Sequence, residues 1–275
     1  MAVIEARTIP QILSLDLSGP TMERLLAYAA ERSAEYAGNA PFPHIVIDDL
    51  LPADVLDRVL GELDGIDHDG RKDFYGAVDK YYTNDFAKLG PHTRGLLTEL
   101  NSRPFLEFLE ALTGITGLIS DPYYLGGGYH EIRRGGFLKM HADFNWHARL
   151  RLDRRLNVLV YLNKDWDESW AGHLEISDPE FRTTRRIAPL FNRIVIFSTT
   201  DFSLHGHPDN LACPPGRERK SLALYYYSNG RPRNEVARGR SVNTDYRPRP
   251  GEVFDGAPVG GLLARIKRRF GARLH

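Results

Sequence analysis

Between Pro122 and Tyr227 the chain is a succession of short apolar runs rich in β-branched and aromatic residues, none long enough for a helix. Leu156-Asn-Val-Leu-Val-Tyr-Leu162, Arg193-Ile-Val-Ile-Phe197 and Ser221-Leu-Ala-Leu-Tyr-Tyr-Tyr227 are the strongest. Pro122–Leu125, Tyr129–Arg133, Phe137–His141, Gly172–Ile176 and Thr183–Ile187 are weaker versions of the same pattern, separated by turn signals such as Gly126–Gly128 and Gly135-Gly136. Strands at this density cannot alternate with crossover helices, so a parallel α/β sheet is excluded, and no GxGxxG stretch is present. The expected architecture is mainly β with flanking helices, built on a double-stranded β-helix (jelly-roll) core.

The flanking helices come from the N-terminal part. Thr21 precedes a stretch of good helix formers, Pro52 opens a segment with Leu56, Val59, Leu60 and Leu63 on one face, and Pro91–Leu100 and Pro104–Leu112 read as two more helices. Phe42–Ile47 is a short strand. Phe74–Phe86, with Tyr75, Tyr81 and Tyr82, has no clean period and reads as a strand–loop segment, an ordinary surface loop before one folded over a site. This divides the chain into a helical and β support over 1–118, a core over 119–229 and a tail over 230–275, all packed as one compact domain.

Within the core, His141 and Asp143 stand two apart in Phe137-Leu-Lys-Met-His141-Ala-Asp143. On an extended strand both side chains point to the same face, where one cation can take an imidazole nitrogen and a carboxylate oxygen. Phe202-Ser-Leu-His205-Gly-His207-Pro208 supplies a second imidazole, from His205 or His207. Two histidines and one carboxylate with open positions opposite suit non-heme Fe(II) and oxygen chemistry. The balanced charge, with 36 Lys+Arg against 36 Asp+Glu, argues for neither nucleic acid nor membrane as a partner. The lone Cys213 excludes an intramolecular disulfide and a multi-cysteine metal site, which suits a reducing cytoplasm. No leader sequence and no membrane span are expected, because no charged stretch followed by an apolar one opens the chain and no apolar run is long enough.

Tyr161-Leu-Asn-Lys-Asp-Trp-Asp167, followed by Gly172 and Leu174, resembles the strand–turn–strand that follows HxD in prolyl hydroxylases of the Fe(II)/2-oxoglutarate dioxygenase superfamily. With His141-Ala-Asp143, His205-Gly-His-Pro208 and Arg219-Lys-Ser221 in the same order, the likeness covers residues 120–228. It implies that His141, Asp143 and His205 are the iron ligands, with His207 beside them, and that Arg219 and Tyr161 bind the far carboxylate of 2-oxoglutarate. Arg217 and Lys220 are the alternatives to Arg219; a planar guanidinium on the inward face of the strand favours Arg219. The implied activity is hydroxylation of an unactivated C–H, with Fe(II), 2-oxoglutarate and O2, on a prolyl, amino-acid-like or natural-product substrate that is either a small molecule or peptide-bound. Asn145, Trp146, His147, Arg149 and Arg151 are expected near the pocket mouth, and His173 and Glu175 are weaker candidates. The competing reading is a non-oxidative, cupin-like metal-dependent module for a metabolite or sugar, which would have no use for a keto-acid clamp; a zinc hydrolase is weaker for want of a general-base carboxylate.

The tail changes character. Residues 230–275 hold eleven basic side chains against four acidic ones. Gly230–Gly256 reads as an extended linker. Val259, Leu262, Leu263, Ile266 and Phe270 recur at helical spacing among arginines and a lysine, an amphipathic basic helix suited to docking on the core or to an acidic partner.

Overall fold

In the computed structural model, residues 2–3, 7–8, 19–236 and 239–254 are described. The strands are β1 (Ala2–Val3), β2 (Arg7–Thr8), β3 (His44–Asp48), β4 (Gly70–Phe74), β5 (Ala77–Thr83), β6 (Ile119–Ser120), β7 (Gly128–Ala142), β8 (Trp146–His147), β9 (Leu152–Tyr161), β10 (Leu174–Ser177), β11 (Thr184–Ile187), β12 (Arg193–Ser198), β13 (Leu204–His207), β14 (Arg219–Ser228) and β15 (Asp245–Tyr246). The helices are α1 (Gly19–Gly38), α2 (Ala53–Leu63), α3 (Pro91–Glu99) and α4 (Arg103–Thr113). The strands join in one curled sheet whose main path is β1-β11-β10-β13-β7-β14-β9-β12-β3-β2, antiparallel except for the pairings of β1 with β11 and β2 with β3. This is the expected jelly-roll architecture with helices on one face.

Period-2 alternation assigns the two faces. Leu156, Val158 and Val160 of β9, Ile194 and Ile196 of β12 and Leu222, Leu224 and Tyr226 of β14 point to the helical layer. There they are buried with Leu25, Ala29 and Tyr36 of α1 and Phe105, Phe108, Leu109 and Leu112 of α4. The intervening residues Asn157 and Leu159 of β9 and Arg219, Ser221, Ala223 and Tyr225 of β14 line a cavity inside the curl. Burying the apolar half of each strand therefore aims the other half at the site.

The sequence reading of two strands over 129–141 is corrected. They form one 15-residue strand, β7. Its first half pairs with β14 and its second half with β13, so β7 passes from one side of the curl to the other. The bend falls at Gly135, with φ 82°, and at Gly136, where a Cβ would lie 2.7 Å from both the Val78 carbonyl oxygen and Ile132 Cγ2. Pro122–Leu125 is not a strand; Asp121 caps a turn there by accepting from the backbone N–H groups of Tyr123 and Leu125. The strand–loop segment at 74–86 contains β5, which closes a hairpin with β4 just before it and pairs with β7 over both halves. Part of the expected linker is also ordered on the core: β15 pairs with the end of β7. The amphipathic run at 259–270 lies outside the described residues.

Candidate metal centre and its cavity

His141 and Asp143 leave β7 toward the interior of the curl, and β13 brings His205 directly opposite His141 in register. The close approach needs Gly206, whose Cβ would lie 2.8 Å from the carbonyl oxygens of Leu138 and Lys139. Ligand atoms of His141, Asp143 and His205 all lie within 4.8 Å of one another, and all three residues are buried. His141 Nε2 is 3.6 Å from Asp143 Oδ1, and His205 Nε2 is 3.3 Å from Asp143 Oδ2. Each histidine turns its Nδ1 to a backbone carbonyl two residues earlier, Lys139 at 2.8 Å and Ser203 at 3.5 Å. Such a contact selects the tautomer with Nε2 as the lone-pair nitrogen, and both Nε2 atoms face the carboxylate. The donor set thus fits a divalent ion with nitrogen and oxygen ligands. His207, the alternative, lies in the cavity wall with neither ring nitrogen hydrogen-bonded to the described residues.

The electrostatics follow from a carboxylate, two imidazoles and a guanidinium packed together in the interior. Burial alone would push the Asp143 carboxyl up, but Arg154, then the two imidazoles beside it, outweigh it and hold the group well below the carboxylate range. Burial, then His205, pushes His141 down to about 4 against the pull of Asp143. Arg154 and Asn157 were not foreseen. Arg154 is wholly buried, donates through Nη2 to Asp143 Oδ2 at 2.8 Å, and lies between the rings of Phe144 and Tyr225 at 4.4 and 3.4 Å. Asn157 Nδ2 donates to the same oxygen at 2.8 Å. Strict alternation would place Arg154 on the helical side with Leu156; a slip in the β14 pairing between Tyr226 and Tyr227 turns it inward.

Arg219, on the inward face of β14, is buried; its Nε donates to the Gly172 carbonyl at 2.7 Å and its Nη2 to the Tyr161 hydroxyl at 3.1 Å. Burial lowers its pKa, with Tyr161 opposing. Among the described residues no carboxylate pairs with it. Of the alternatives, Lys220 faces away and pairs with Glu218, and Arg217 lies outside over Trp170.

The cavity holding these groups measures about 260 Å³. Its walls include Leu138, Leu159 and Leu174. Two further sides come from the hairpin, for which folding over a site is the lesser sequence expectation, and from the tail, which sequence reading did not assign to a site. Lys72 and Lys80 enter from the β4–β5 hairpin, and Val242, Thr244 and Tyr246 from the segment around β15, with the Tyr246 ring 5.3 Å from that of His141. Trp146, His147 and Arg149 line a neighbouring groove that shares Gly126, Phe144 and Val242 with this cavity. Asn145 faces inward to Asp201 and the Gly239 carbonyl, Glu175 faces Arg249 and Arg186, and His173 meets Arg186. None of these three lines the cavity.

Residues 127–227 match the model of the 2OG-Fe(II) oxygenase superfamily. No curated protein matches the chain. Among solved structures the fold is similar to a prolyl hydroxylase from Trichoplax adhaerens in complex with a hypoxia inducible factor peptide, at 15% identity and TM-score 0.56, covering 78% of this chain and 96% of that one. It is also similar to a Pseudomonas putida prolyl-4-hydroxylase, at 17% identity and TM-score 0.52, covering 74% and 100%. A third is HygX from Streptomyces hygroscopicus with nickel and 2-oxoglutarate bound, at 11% identity and TM-score 0.51, covering 82% and 96%. Among the described residues no helix is long and apolar enough to cross a membrane.

Proposed function

We propose that this chain, a member of the 2OG-Fe(II) oxygenase superfamily through its core at 127–227, hydroxylates an unactivated C–H of a prolyl, amino-acid-like or natural-product substrate in a reducing cytoplasm. The observation that carries the reading is the pairing of a buried His141–Asp143–His205 cluster with a buried cation, Arg219, that has no carboxylate partner of its own among the described residues. A metal-binding module without a keto acid has no use for that second feature.

In this reading His141, Asp143 and His205 hold Fe(II), and Arg219 with the Tyr161 hydroxyl holds the far carboxylate of 2-oxoglutarate. With O2, the loaded centre supplies an oxidation in which 2-oxoglutarate loses CO2 to become succinate and a substrate C–H becomes C–OH. The protein's own part is binding, aiming and drying. Arg154 and Asn157 fix the Asp143 carboxylate by donating to one of its oxygens. The fork of Arg219 matches a carboxylate and is held in place beforehand by Gly172 and Tyr161, so little conformational freedom is lost on binding. Leu138, Leu159 and Leu174 give the cavity water-excluding walls, and Tyr246 packs over His141 from the β15 side.

The test is anaerobic titration of the metal-free protein with Fe(II) and then 2-oxoglutarate, watching for the weak visible charge-transfer band of a chelated keto acid. The band should appear in the wild type and be lost in Asp143→Ala. Iron binding without keto-acid binding would replace the oxygenase by a metal-dependent binding module.

A further inference from the structure

The hairpin β4–β5 brings into the cavity a charge that the proposed chemistry leaves unused. Lys72 and Lys80 are paired across the hairpin, Lys80 is paired with Ile132 of β7, and Ile132 is paired with Arg219 of β14. Directly paired residues point to the same side of a sheet, so Lys72, Lys80, Ile132 and Arg219 form one row facing the cavity. Strands lie about 4.8 Å apart, which puts the backbone of Lys80 roughly 10 Å from that of Arg219. Lys80 is 8% exposed, whereas Lys72 stands at the rim. Neither side chain makes a hydrogen bond or ion pair with the described residues. Burial, then Lys72, pushes the Lys80 ammonium down to about 7; Asp143 pulls the other way, and Arg219 and Arg154 add to the depression. Here is a buried cation surrounded by other cations.

The charge balance of the loaded site makes the point sharper. Lys72, Lys80, Arg154 and Arg219 line the cavity, and among the described residues Asp143 is the one carboxylate that does. Ferrous iron and doubly ionised 2-oxoglutarate cancel one another. Arg154 is already matched to Asp143, so Arg219, Lys72 and Lys80 are left in excess; Arg219 contacts the co-substrate, and the two lysines face the remaining space. A buried ammonium is retained at a cost in stability unless something anionic meets it.

We propose that the substrate carries a carboxylate or phosphate group and that Lys80, with Lys72 at the rim, receives it. This deepens the oxygenase reading and rests on it for the word substrate. The anionic end is anchored from the hairpin side of the cavity, one strand beyond β7, while the reacting C–H is presented toward His141, Asp143 and His205. A neutral peptide segment or an uncharged sugar would leave Lys80 uncompensated. Lys80 is a binding residue here and takes no part in the oxidation.

The experiment uses protein loaded with Ni(II) in place of iron and saturated with 2-oxoglutarate, titrated calorimetrically with inorganic phosphate and separately with acetate. The wild type should bind at least one of them saturably, and the stronger of the two names the anion class. Lys80→Met should weaken that binding at least tenfold and Lys80→Arg should leave it within threefold. The 2-oxoglutarate affinity of Lys80→Met should stay within twofold, and its ligand-free melting temperature should rise, which reports that it folds. Absence of saturable binding of either anion to the wild type, or equal binding by Lys80→Met, overturns the proposal. So does a loss of 2-oxoglutarate affinity in Lys80→Met, which would give Lys80 to the co-substrate. Failure of 2-oxoglutarate to bind the wild type would sink the oxygenase reading instead, and the same anion titrations on Ni(II)-loaded protein would still decide what Lys80 holds.

Discussion

Replacing Arg219 by methionine is expected to move binding and stability in opposite directions. Arg219 is 4% exposed and has no acidic partner among the described residues; the neutral contacts of its guanidinium are the Gly172 carbonyl at 2.7 Å and the Tyr161 hydroxyl at 3.1 Å. A hydrogen bond to a charged group contributes about 1.5–3 kcal/mol, and a forked pair to a carboxylate lies at or above the top of that range. Losing about 3 kcal/mol weakens 2-oxoglutarate binding roughly 100-fold. Methionine fills much of the same space without a charge. Removing an unpaired buried cation should therefore stabilise the ligand-free protein by about 1 kcal/mol or more, a rise of about 2 °C or more in melting temperature. Calorimetric titration of metal-loaded protein gives the first quantity, and thermal or urea unfolding of the ligand-free protein gives the second. Tyr161→Phe removes one neutral partner and should cost about 1 kcal/mol, roughly fivefold in affinity. Affinity for 2-oxoglutarate within threefold of wild type in Arg219→Met would refute the clamp. Weakened affinity together with lowered stability would make Arg219 a structural residue whose loss disturbs the site indirectly.

The cluster itself gives three more expectations. Asp143→Ala should abolish metal binding and also lower stability by about 3 kcal/mol or more, because it strands the buried Arg154; metal titration and urea unfolding would show both, and an unchanged stability would refute the Arg154 pairing. His141, held neutral down to about 4, binds a proton more readily unfolded than folded, so the metal-free protein should lose stability as pH falls from about 6.5 toward 4. The His141 share is about 3 kcal/mol, measured as the part of the slope that disappears in His141→Phe; parallel curves for the two proteins would contradict it. Gly206→Ala puts a methyl 2.8 Å from two backbone carbonyl oxygens of β7, so His205 must retreat from His141. Metal affinity should fall about tenfold or more while the fold survives, and wild-type affinity would show that β13 yields without moving the ligand.

What was legible in the sequence was whatever alternation and spacing fix locally. The runs at β9, β12 and β14 announce themselves by apolar residues at every second position, and those same positions aim Asn157, Tyr161 and Arg219 inward. His141 and Asp143 were readable because two residues on an extended strand share a face whatever the rest of the chain does. The reading of 129–141 as two strands failed because Gly135 and Gly136, ordinarily turn signals, here bend a strand that continues. Arg154 was invisible for a related reason: a one-residue slip in pairing, which no local pattern reports, brings it to the inner face. The strands β5, in the strand–loop stretch 74–86, and β15, in the stretch 230–256 read as a linker, could not be placed because neither stretch has a regular apolar period. Their order comes from pairing with a strand about fifty residues away in one case and about a hundred in the other.

Those two segments share more than their irregularity. Along one edge β7 pairs with β14 and β13, which carry Arg219 and His205; along the other it pairs with β5 and β15, which carry Lys80 and Tyr246. Without the second pair the strand that bears His141 and leads directly into Asp143 would present an open edge, exposing unpaired backbone groups beside the site. Covering that edge is thus required by the fold, while the choice of side chains on the cover is not. The inner edge, fixed by the geometry of the cluster and its clamp, leaves little room for variation. The outer edge can present lysine, tyrosine or anything else that fits a paired strand. Selectivity is therefore expected to reside in β4–β5 and the β15 segment. Exchanging the hairpin charges should alter which molecule is oxidised before it alters how 2-oxoglutarate is bound.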